Sequence, residues 1–270
     1  MKFSSVQNQL DQLYCSFDAS MMSPDPLEVV RRYKEPEDLE VAGLIAASLA
    51  YGRVENIIKA VEHIFALMGH RPYAFTMRFK PDRDAARFNR FVYRFSRGRD
   101  IVCLILLIQK ALNTYGSLGD LFSSGFTKKD DHIGPALIRF VNQLIGFGCP
   151  FLYPGGTIPP KAGVRYFLPS PQGGSACKRL NLFIRWMVRD GLDGIDLGLW
   201  QNIPPSRLII PVDTHVARIA STLRLAVRRQ ADWKMAEEIT ETLRTFDPED
   251  PVKYDFAICH WGMRQIRRWD

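Results

Sequence analysis

The sequence contains little cysteine, and its cysteines are scattered. No two of the five form a C-x-x-C pair or another spacing typical of zinc or iron–sulfur ligands. We therefore expect no metal site and no iron–sulfur cluster, and we interpret the odd count as free thiols in a reducing cytoplasm. The five are Cys15, Cys103, Cys149, Cys177 and Cys259.

Long apolar runs are also lacking. The most apolar stretch, IVCLILLI at 101–108, is far shorter than the roughly 20 residues that span a bilayer. The first residues, MKFSSVQNQLDQLYCSF, contain no apolar segment of the kind that a signal peptide needs. We therefore expect a cytoplasmic protein without membrane association, in which 101–108 forms a buried central helix.

What is present is the composition of a globular protein. The chain has 270 residues, of which 46% are hydrophobic and 24% charged, which is enough for one large or two small domains. The formal net charge is +7 and the isoelectric point is near 9.2. A basic balance of this kind favours a polyanionic partner.

Helical periodicity dominates the sequence, and no pair of stretches shows the turn chemistry of a β-hairpin. The sequence therefore predicts an all-α fold. Between Cys149 and Gly174, prolines and glycines indicate a long irregular loop, a type of segment that is often functional. The predicted helical stretches are LEVAGLIAASLAYG, VENIIKAVEHIFALMG, DAARFNRFVYRF, residues 101–113, GPALIRFVNQLIGFG, SACKRLNLFIRWMVRD, PVDTHVARIASTLRL, DWKMAEEITETLRTF and DPVKYDFAICHWGMRQIRRW.

Two of these predictions concern particular side chains. In DAARFNRFVYRF, helical spacing places Phe88, Phe91, Val92 and Phe95 on one face. At the start of the last stretch, Asp250 is a good N-cap residue followed by a proline suited to the first turn.

The helix after the irregular loop carries a polar stripe formed by Lys178, Asn181, Arg185 and Arg189. One interpretation is a solvated basic face. The other gives Lys178 a chemical role, because a cation in the first turn opposes the helix dipole and its pKa should fall. A lysine with a neutral fraction is a nucleophile, and the first-turn amides suit a phosphate.

A second candidate is Asp213, in the segment IPVDTHVARIA. It can serve simply as the N-cap of the helix that follows, or its carboxylate can face a substrate. The far side of that helix and the residues after it are basic, which is consistent with contact to a phosphate backbone. The basic residues are Arg218, Arg224, Arg228 and Arg229.

The stretch VDTHVARIASTLRL resembles the segment after the helix–hairpin–helix in the endonuclease III and 8-oxoguanine glycosylase superfamily of DNA repair enzymes. By this resemblance Asp213 is the catalytic aspartate and Lys178 the catalytic lysine of the bifunctional members. LIAASLAYGRVENIIKAV is similar to the early helix pair whose turn inserts side chains into DNA, here Tyr51, Gly52 and Arg53. The resemblance covers roughly residues 38–266. More closely, the chain resembles a family of uncharacterised bacterial proteins assigned to this superfamily.

The chain departs from the superfamily pattern in three places. Its hairpin reads LPSPQGGSACK, which keeps the leucine–proline and two glycines of the usual turn at a different spacing. Lys178 and Asp213 are 213 − 178 = 35 positions apart, further than in endonuclease III. The C-terminal four-cysteine motif is missing. By resemblance the hairpin can also hold a monovalent cation through backbone carbonyls.

The resemblance implies a glycosylase with abasic-site lyase activity that removes a damaged base, such as the oxidised purine 8-oxoguanine. Lys178 would form a Schiff base, assisted by Asp213. The expected partner is double-stranded DNA with a damaged base or abasic site, bound by a nucleoid-associated monomer. Further DNA contacts are expected from Gly173, Gly174, Ser175, Arg179, His215 and Arg218. The base pocket is expected to include Trp186, Phe256, His260 and Trp261, although core packing is an alternative for its aromatics.

The superfamily plan also predicts the domains. A central helical subdomain would run from 38 to 205, and 1–37 with 206–270 would form a second one carrying the aspartate, with a cleft between them. Other functions remain open from sequence alone. These are a non-catalytic DNA-binding helix–hairpin–helix module, a lyase that acts on abasic sites only, and a helical scaffold for protein partners.

Overall fold

A computed structural model describes residues 3–16, 22–190 and 194–259. It is 59% helix and 3% strand, which confirms the predicted all-α class. The helices are α1 (Phe3–Cys15), α2 (Leu27–Val30), α3 (Pro36–Ser48), α4 (Val54–Leu67), α5 (Pro72–Arg78), α6 (Pro81–Asp84), α7 (Gly98–Tyr115), α8 (Leu118–Ser124), α9 (Gly134–Gly146), α10 (Val164–Phe167), α11 (Lys178–Val188), α12 (Thr214–Thr222) and α13 (Trp233–Arg244).

Short elements complete the secondary structure. Two strands, β1 (Val92–Tyr93) and β2 (Ser96–Arg97), pair antiparallel, with Val92 opposite Arg97 and Tyr93 opposite Ser96. Single 3-10 turns are formed by Ala85–Phe88, Pro171–Gly173, Pro205–Arg207 and Pro251–Tyr254. The last of these continues into helical residues 255–259.

The chain divides into two compact units. Unit 1 comprises 1–23, 128–134 and 170–270, and unit 2 comprises 24–127 and 135–169. This division differs from the predicted one, because 170–205 groups with Asp213 rather than with the central helices. The physical reason lies in unit 1 itself, where the backbone of Cys177 bridges to Val212 and Arg185 on α11 pairs with Asp255.

Helix α7 forms the centre of unit 2, as its apolar run predicts. Ile101 to Ile108 are all buried, and burial of such side chains contributes about 1.5–3 kcal/mol each. A buried carboxylate stabilises the start of α8. Glu40 on α3 accepts the backbone N–H groups of Leu118 and Gly119 at 2.9 and 3.0 Å. These are N–H groups that a helix start otherwise leaves unpaired.

No single helix in the described ranges is long and apolar enough to cross a membrane. Helices α7 and α8 reach the length and apolar composition of a membrane span only when they are counted as one, but they meet at an angle of 71°. The apolar side chains of both helices are buried within unit 2.

The predicted helix in DAARFNRFVYRF is wrong beyond Phe88, and so is the expectation that the chain lacks a hairpin. The segment leaves its 3-10 turn at Phe88 and forms the β1–β2 hairpin, in which Val92 and Phe95 are 60% and 51% exposed. Arg94 adopts a left-handed backbone, with φ of 52°. After the hairpin, a Cβ at Gly98 would collide with the backbone carbonyl of Phe88, so this close approach requires glycine.

In unit 1, long-range bonds join α1 to the C-terminal part of the chain. Gln7 donates to the Phe246 carbonyl at 3.3 Å, and Tyr254 donates to Asp11 at 2.6 Å. The expectation that Asp250 caps its helix is wrong, since its side chain makes no cap bond. Its carboxylate instead accepts from Arg189 Nε at 2.7 Å, and a charged partner outweighs a local cap.

Candidate active site

A main-chain bridge sets the two candidate catalytic residues side by side. The backbone of Cys177 pairs in parallel with that of Val212. The next residue of each segment is Lys178, which begins α11, and Asp213, which immediately precedes α12. As a result, Lys178 Nζ lies 3.0 Å from Asp213 Oδ2.

A tight turn precedes Lys178. Its 3-10 turn Pro171–Gly173 ends at Gly174, which has φ of 75° and so favours glycine. Ser175 bridges to Asp232, and Trp233 N donates to the Gly174 carbonyl at 3.2 Å. The predicted phosphate-binding residues Gly173, Gly174 and Ser175 are all exposed on this turn. The helix itself begins three residues later than Ser175, at Lys178.

The two oxygens of Asp213 have separate partners. Oδ1 accepts the backbone N–H groups of His215 and Val216, both at 2.9 Å, as an N-cap does. Oδ2 faces the Lys178 amine. The two interpretations of Asp213 are therefore compatible, because the cap fixes the carboxylate while one oxygen remains directed at the lysine.

The pair is only partly shielded from solvent. The side chains of Lys178 and Asp213 are 34% and 36% exposed. An amine and a carboxylate in this setting are rigidly placed yet accessible to a substrate. Exposed pairs of this kind stabilise a fold by only about 0–1 kcal/mol.

The structure contradicts the predicted fall in the pKa of Lys178. Burial does lower it, but the attraction and hydrogen bond of Asp213, with smaller contributions from Cys259 and Asp255, outweigh burial and raise the pKa above its ordinary value. Burial likewise raises the pKa of Asp213, but Lys178 and the capping N–H groups of Val216 and His215 leave it below its ordinary value. At neutral pH both groups are therefore charged.

Two residues near this pair escaped the sequence analysis. Asp255 is buried, and burial, opposed by Arg185 and Lys178, raises its pKa to about 6. Cys259, one helical turn later, lies 3.9 Å from the Asp255 carboxylate, and burial raises its pKa well above the ordinary value. The sequence does show that Asp255 and Cys259 are four positions apart and so share one helix face. That spacing does not show that this face packs near Lys178 on α11.

The polar stripe on α11 is not a solvated face. Arg185 pairs with Asp196 at 3.2 Å and with Asp255, and Arg189 pairs with Asp196 at 2.9 Å and Asp250 at 2.7 Å. Both arginine side chains are at most 5% exposed. The stripe is internal because three aspartates that follow α11 in the chain neutralise its arginines.

The other residues predicted to contact DNA or the flipped base on α11 and the last helix differ in how exposed they are. Arg179 is buried, which removes it from the surface expected to contact phosphate. Trp186 is fully buried, its indole N–H has no hydrogen-bond partner among the described residues, and it packs in the core rather than lining an open pocket. Phe256 is half-buried. His260 and Trp261 lie outside the described residues.

The predicted phosphate contacts on α12 lie beside an open groove. Thr214, Arg218 and Arg229 line it together with small side chains, and its volume is about 610 Å³. Arg218 is exposed, and its guanidinium lies 3.5 Å from His215 Nδ1. Arg228 differs from these residues, because its guanidinium donates twice to the Asp232 carboxylate.

Tyr51, Gly52 and Arg53 belong to unit 2. They form the turn between α3 and α4, where Gly52 has φ of 97° and both Gly52 and Arg53 are exposed. Tyr51 is half-buried, and its hydroxyl lies 2.6 Å from Ser96 Oγ in the hairpin. The turn is therefore tied to β2 within its own unit.

No cluster of metal-ligand type is seen in the part of the chain that the structure describes. Within those residues, no three His, Cys, Asp or Glu side chains converge as a metal site requires. The five cysteines form no disulfide, and only Cys15 is exposed.

Comparison with known families assigns the chain to one family. The family model for DUF2400, described as a protein family of unknown function, matches residues 25–264. The chain belongs to this family. Searches of curated proteins and of solved structures give no match.

Proposed function

We propose that this protein is a DNA glycosylase with abasic-site lyase activity, acting on an oxidised purine such as 8-oxoguanine. The observation that carries the proposal is the Lys178–Asp213 pair. An amine at the first residue of one helix lies 3.0 Å from a carboxylate that caps another. If Asp213 served only to cap α12, Lys178 would not be needed beside it. If the two residues formed only a stabilising ion pair, Asp213 would not need its two bonds to backbone N–H groups.

Chemistry at a damaged base requires the nucleotide to leave the stack, which costs a few kcal/mol and less for damaged bases. As the bond from C1′ to the base nitrogen weakens, positive charge develops on the sugar. The carboxylate of Asp213 is already fixed by two backbone bonds. It would stabilise that charge without reorganising, which is how preorganised electrostatics lower a barrier.

Lys178 would then form the new bond. Its amine attacks C1′, the bond from C1′ to the base breaks, and the base departs with the electron pair. The ammonium proton balances this step by moving through Asp213 to the departing base. A second proton of the lysine nitrogen passes through Asp213 to O4′ as the C1′–O4′ bond breaks, which gives the iminium between Lys178 and C1′. Loss of a C2′ proton to water then allows β-elimination, in which the 3′ phosphate leaves with the electron pair of its bond to carbon. Water releases the lysine, and the strand is nicked.

Because the pKa of Lys178 is raised, its amine rests in the protonated, positively charged form at neutral pH. The ammonium form attracts a phosphate-rich strand, and only the small neutral fraction is nucleophilic. Phosphate contact would come from Arg218 and Arg229 along the α12 groove, supplying sequence-independent affinity. The net charge of +7 agrees with such a partner.

A lyase restricted to abasic sites is the second candidate. It is favoured by one observation, the complete burial of Trp186, which removes that ring from the predicted base pocket. An abasic sugar needs no base pocket, because its free aldehyde reacts with the Lys178 amine to give the iminium and water.

Trapping with borohydride separates these proposals. Duplex DNA with one abasic site, or with one 8-oxoguanine, would be incubated with wild type, Lys178→Gln, Asp213→Asn and the matched control Lys234→Gln on the exposed face of α13. Reduction of the iminium links protein to DNA. We expect adducts with wild type and Lys234→Gln and none with Lys178→Gln. An adduct on both substrates supports the glycosylase, and an adduct on the abasic duplex alone supports the restricted lyase. Equal trapping by wild type and Lys178→Gln would contradict both.

A further inference from the structure

An aromatic patch lies on the surface of unit 2. It is formed by Tyr51, Phe95 and Tyr166, and we call it the ring patch. The rings of Tyr51 and Phe95 are stacked, with centroids 5.0 Å apart and planes 12° from parallel. Tyr166 meets both edge-on, at 5.2 and 4.3 Å. Three elements distant in sequence therefore converge on one cluster of rings.

The ring patch is unusually open for a cluster of this size. Phe95 and Tyr166 are 51% and 41% exposed. Phe95 lies at the tip of the hairpin and is covered on one face by Tyr51, so half of its surface remains available to solvent. A hydrophobic core would enclose these rings, and a hairpin turn ordinarily carries polar residues at its tip.

Hydrogen bonds between the α3–α4 turn and the hairpin hold the ring patch in place. The Tyr93 hydroxyl donates to the Tyr51 carbonyl, and the Tyr51 hydroxyl bonds Ser96 at 2.6 Å. A Cβ added at Gly52 would lie 2.9 Å from the Arg94 guanidinium, so the turn and the hairpin are in close contact. The platform exists before any ligand arrives, which lowers the entropy lost on binding.

Cations surround the ring patch without acids to neutralise them. The hairpin sequence RFVYRFSRGR, at 90–99, contains no acidic residue, and all of its arginines are exposed. The neighbouring Asp100 is buried and accepts the Arg97 backbone N–H at 2.9 Å. Within the described ranges, none of the following forms an ion pair: Arg53, Arg90, Arg94, Arg97 and Arg99.

A groove on the other side of the hairpin extends this basic surface. Asn56, Lys59 and His63 from α4 line it together with Arg94 and the hairpin residues before it, and its volume is about 380 Å³. An open ring beside exposed arginines that form no ion pair among the described residues matches one ligand chemistry, a nucleobase that stacks and a phosphate backbone that continues past it. A protein partner of ordinary size would need far more apolar surface than three rings provide.

We propose that the ring patch binds an unpaired nucleobase, which stacks on the open face of Phe95, while Arg94 and Arg53 contact the phosphates on either side. This inference deepens the proposed function and rests on it for the biological substrate, since flipping or nicking leaves unstacked nucleotides. It adds Phe95, Tyr166 and Arg94 to the residues that contact nucleic acid. The binding itself needs neither Lys178 nor a lesion.

The test measures binding of the full chain to two short fluorescent single strands of equal length, by anisotropy. One carries bases throughout, and the other carries reduced abasic units with the same phosphates and no bases. Both lack the aldehyde that Lys178 would attack. The variants are Phe95→Ala, Phe95→Trp and the matched control Phe151→Ala, which removes a similarly exposed ring elsewhere in unit 2.

Wild type should bind the strand with bases about 5- to 160-fold more tightly than the strand without them, the range expected for one stacked base. Phe95→Ala should lose that preference, while Phe95→Trp and Phe151→Ala keep it. Arg94→Gln should weaken both strands and reduce the slope of log affinity against log salt by about 0.7. Thermal unfolding of each variant checks that the fold is retained.

A preference that survives in Phe95→Ala, or its absence in wild type, would overturn the inference. The two proposals fail separately, because stacking is read from unreactive single strands and the lyase from borohydride adducts. If Phe95→Ala loses base preference while Lys178→Gln keeps it, the ring patch is supported whatever the outcome of trapping.

Discussion

Helix α11 carries two ion-pair clusters that differ in almost every physical respect. At its last turns, Arg185 and Arg189 are buried among three aspartates that occupy their donors. At its first residue, Lys178 meets a single carboxylate, and both side chains remain about one-third exposed. Because these arginines are buried and paired with aspartates, we interpret this cluster as structural. Partial exposure of an amine and a carboxylate, each held by a helix end, leaves a pair that can react.

The largest difference should appear in activity. Lys178→Gln should reduce borohydride trapping to less than about one-thousandth of wild type, because removing a nucleophile leaves no alternative covalent route. The same change should alter the free energy of unfolding by no more than about 1 kcal/mol, as expected for a partly exposed pair. Trapping yield and urea unfolding of one preparation measure both. A large loss of stability would show that the pair is structural.

The internal cluster should respond in the opposite way. Arg185→Met should lower the free energy of unfolding by about 3–5 kcal/mol, because Asp255 would stay buried without its paired arginine and Asp196 would keep only Arg189. The matched control is Arg32→Met, which breaks an exposed pair with Glu62 and should change stability by about 0–1 kcal/mol. Similar urea midpoints for the two variants would remove the distinction between the clusters.

Asp213→Asn sharpens the comparison within the candidate site. Asparagine is also a good N-cap, so the helix start should keep its stability to within about 1 kcal/mol. Loss of the carboxylate charge should slow base release by about 100-fold, the scale on which one preorganised electrostatic group acts. Trapping on a preformed abasic site should fall less, because that step needs no charge on the sugar. Equal losses in single-turnover rates on both substrates would contradict the separate roles.

The pH dependence should give the smallest effect. Because Asp213 raises the pKa of Lys178 above its ordinary value of 10.5, the neutral fraction grows with pH throughout the usable range. Trapping on an abasic duplex should therefore rise about tenfold per pH unit at neutral to mildly alkaline pH. In Asp213→Asn the attraction is gone and burial lowers the pKa, so the profile should level off at a lower pH. A wild-type rate independent of pH would contradict an ionised resting amine.

Local pattern predicts the helices of this protein well. The stretches around α3, α4, α7, α9 and α13 have apolar residues at helical spacing, and each forms a helix. Asp213 and Asp232 cap their helices as residues of their type do. In these segments the burial of one face and the capping of one end act within a few residues, so the sequence contains the whole cause.

The failures have long-range causes. DAARFNRFVYRF has an adequate helical pattern, but the close approach of Gly98 to Phe88 and the left-handed backbone of Arg94 favour a hairpin. The stripe of α11 left two interpretations open, because helical spacing alone does not show that Asp196, seven positions after Arg189, and the more distant Asp255 pack against it. The pKa of Lys178 rises for the same reason, since a residue 35 positions away lies 3.0 Å from its amine.

The candidate site was predicted in part. The resemblance to repair glycosylases singled out Lys178 and Asp213, which lie 3.0 Å apart, while their catalytic roles stay predictions. It did not identify Asp255 or Cys259, whose influence on the lysine depends on a helix packed from the far end of the chain. Nor did it identify Phe95, which pattern alone placed on an apolar helix face.

The most direct test of the central claim is to locate the bond between protein and DNA. Wild-type protein would be reduced with borohydride on a duplex containing one abasic site, digested with protease and nuclease, and the modified peptide sequenced by mass spectrometry. The account predicts a single modified residue, Lys178, in the peptide that begins α11. Modification of another lysine, or of several in proportion to their exposure, would contradict it.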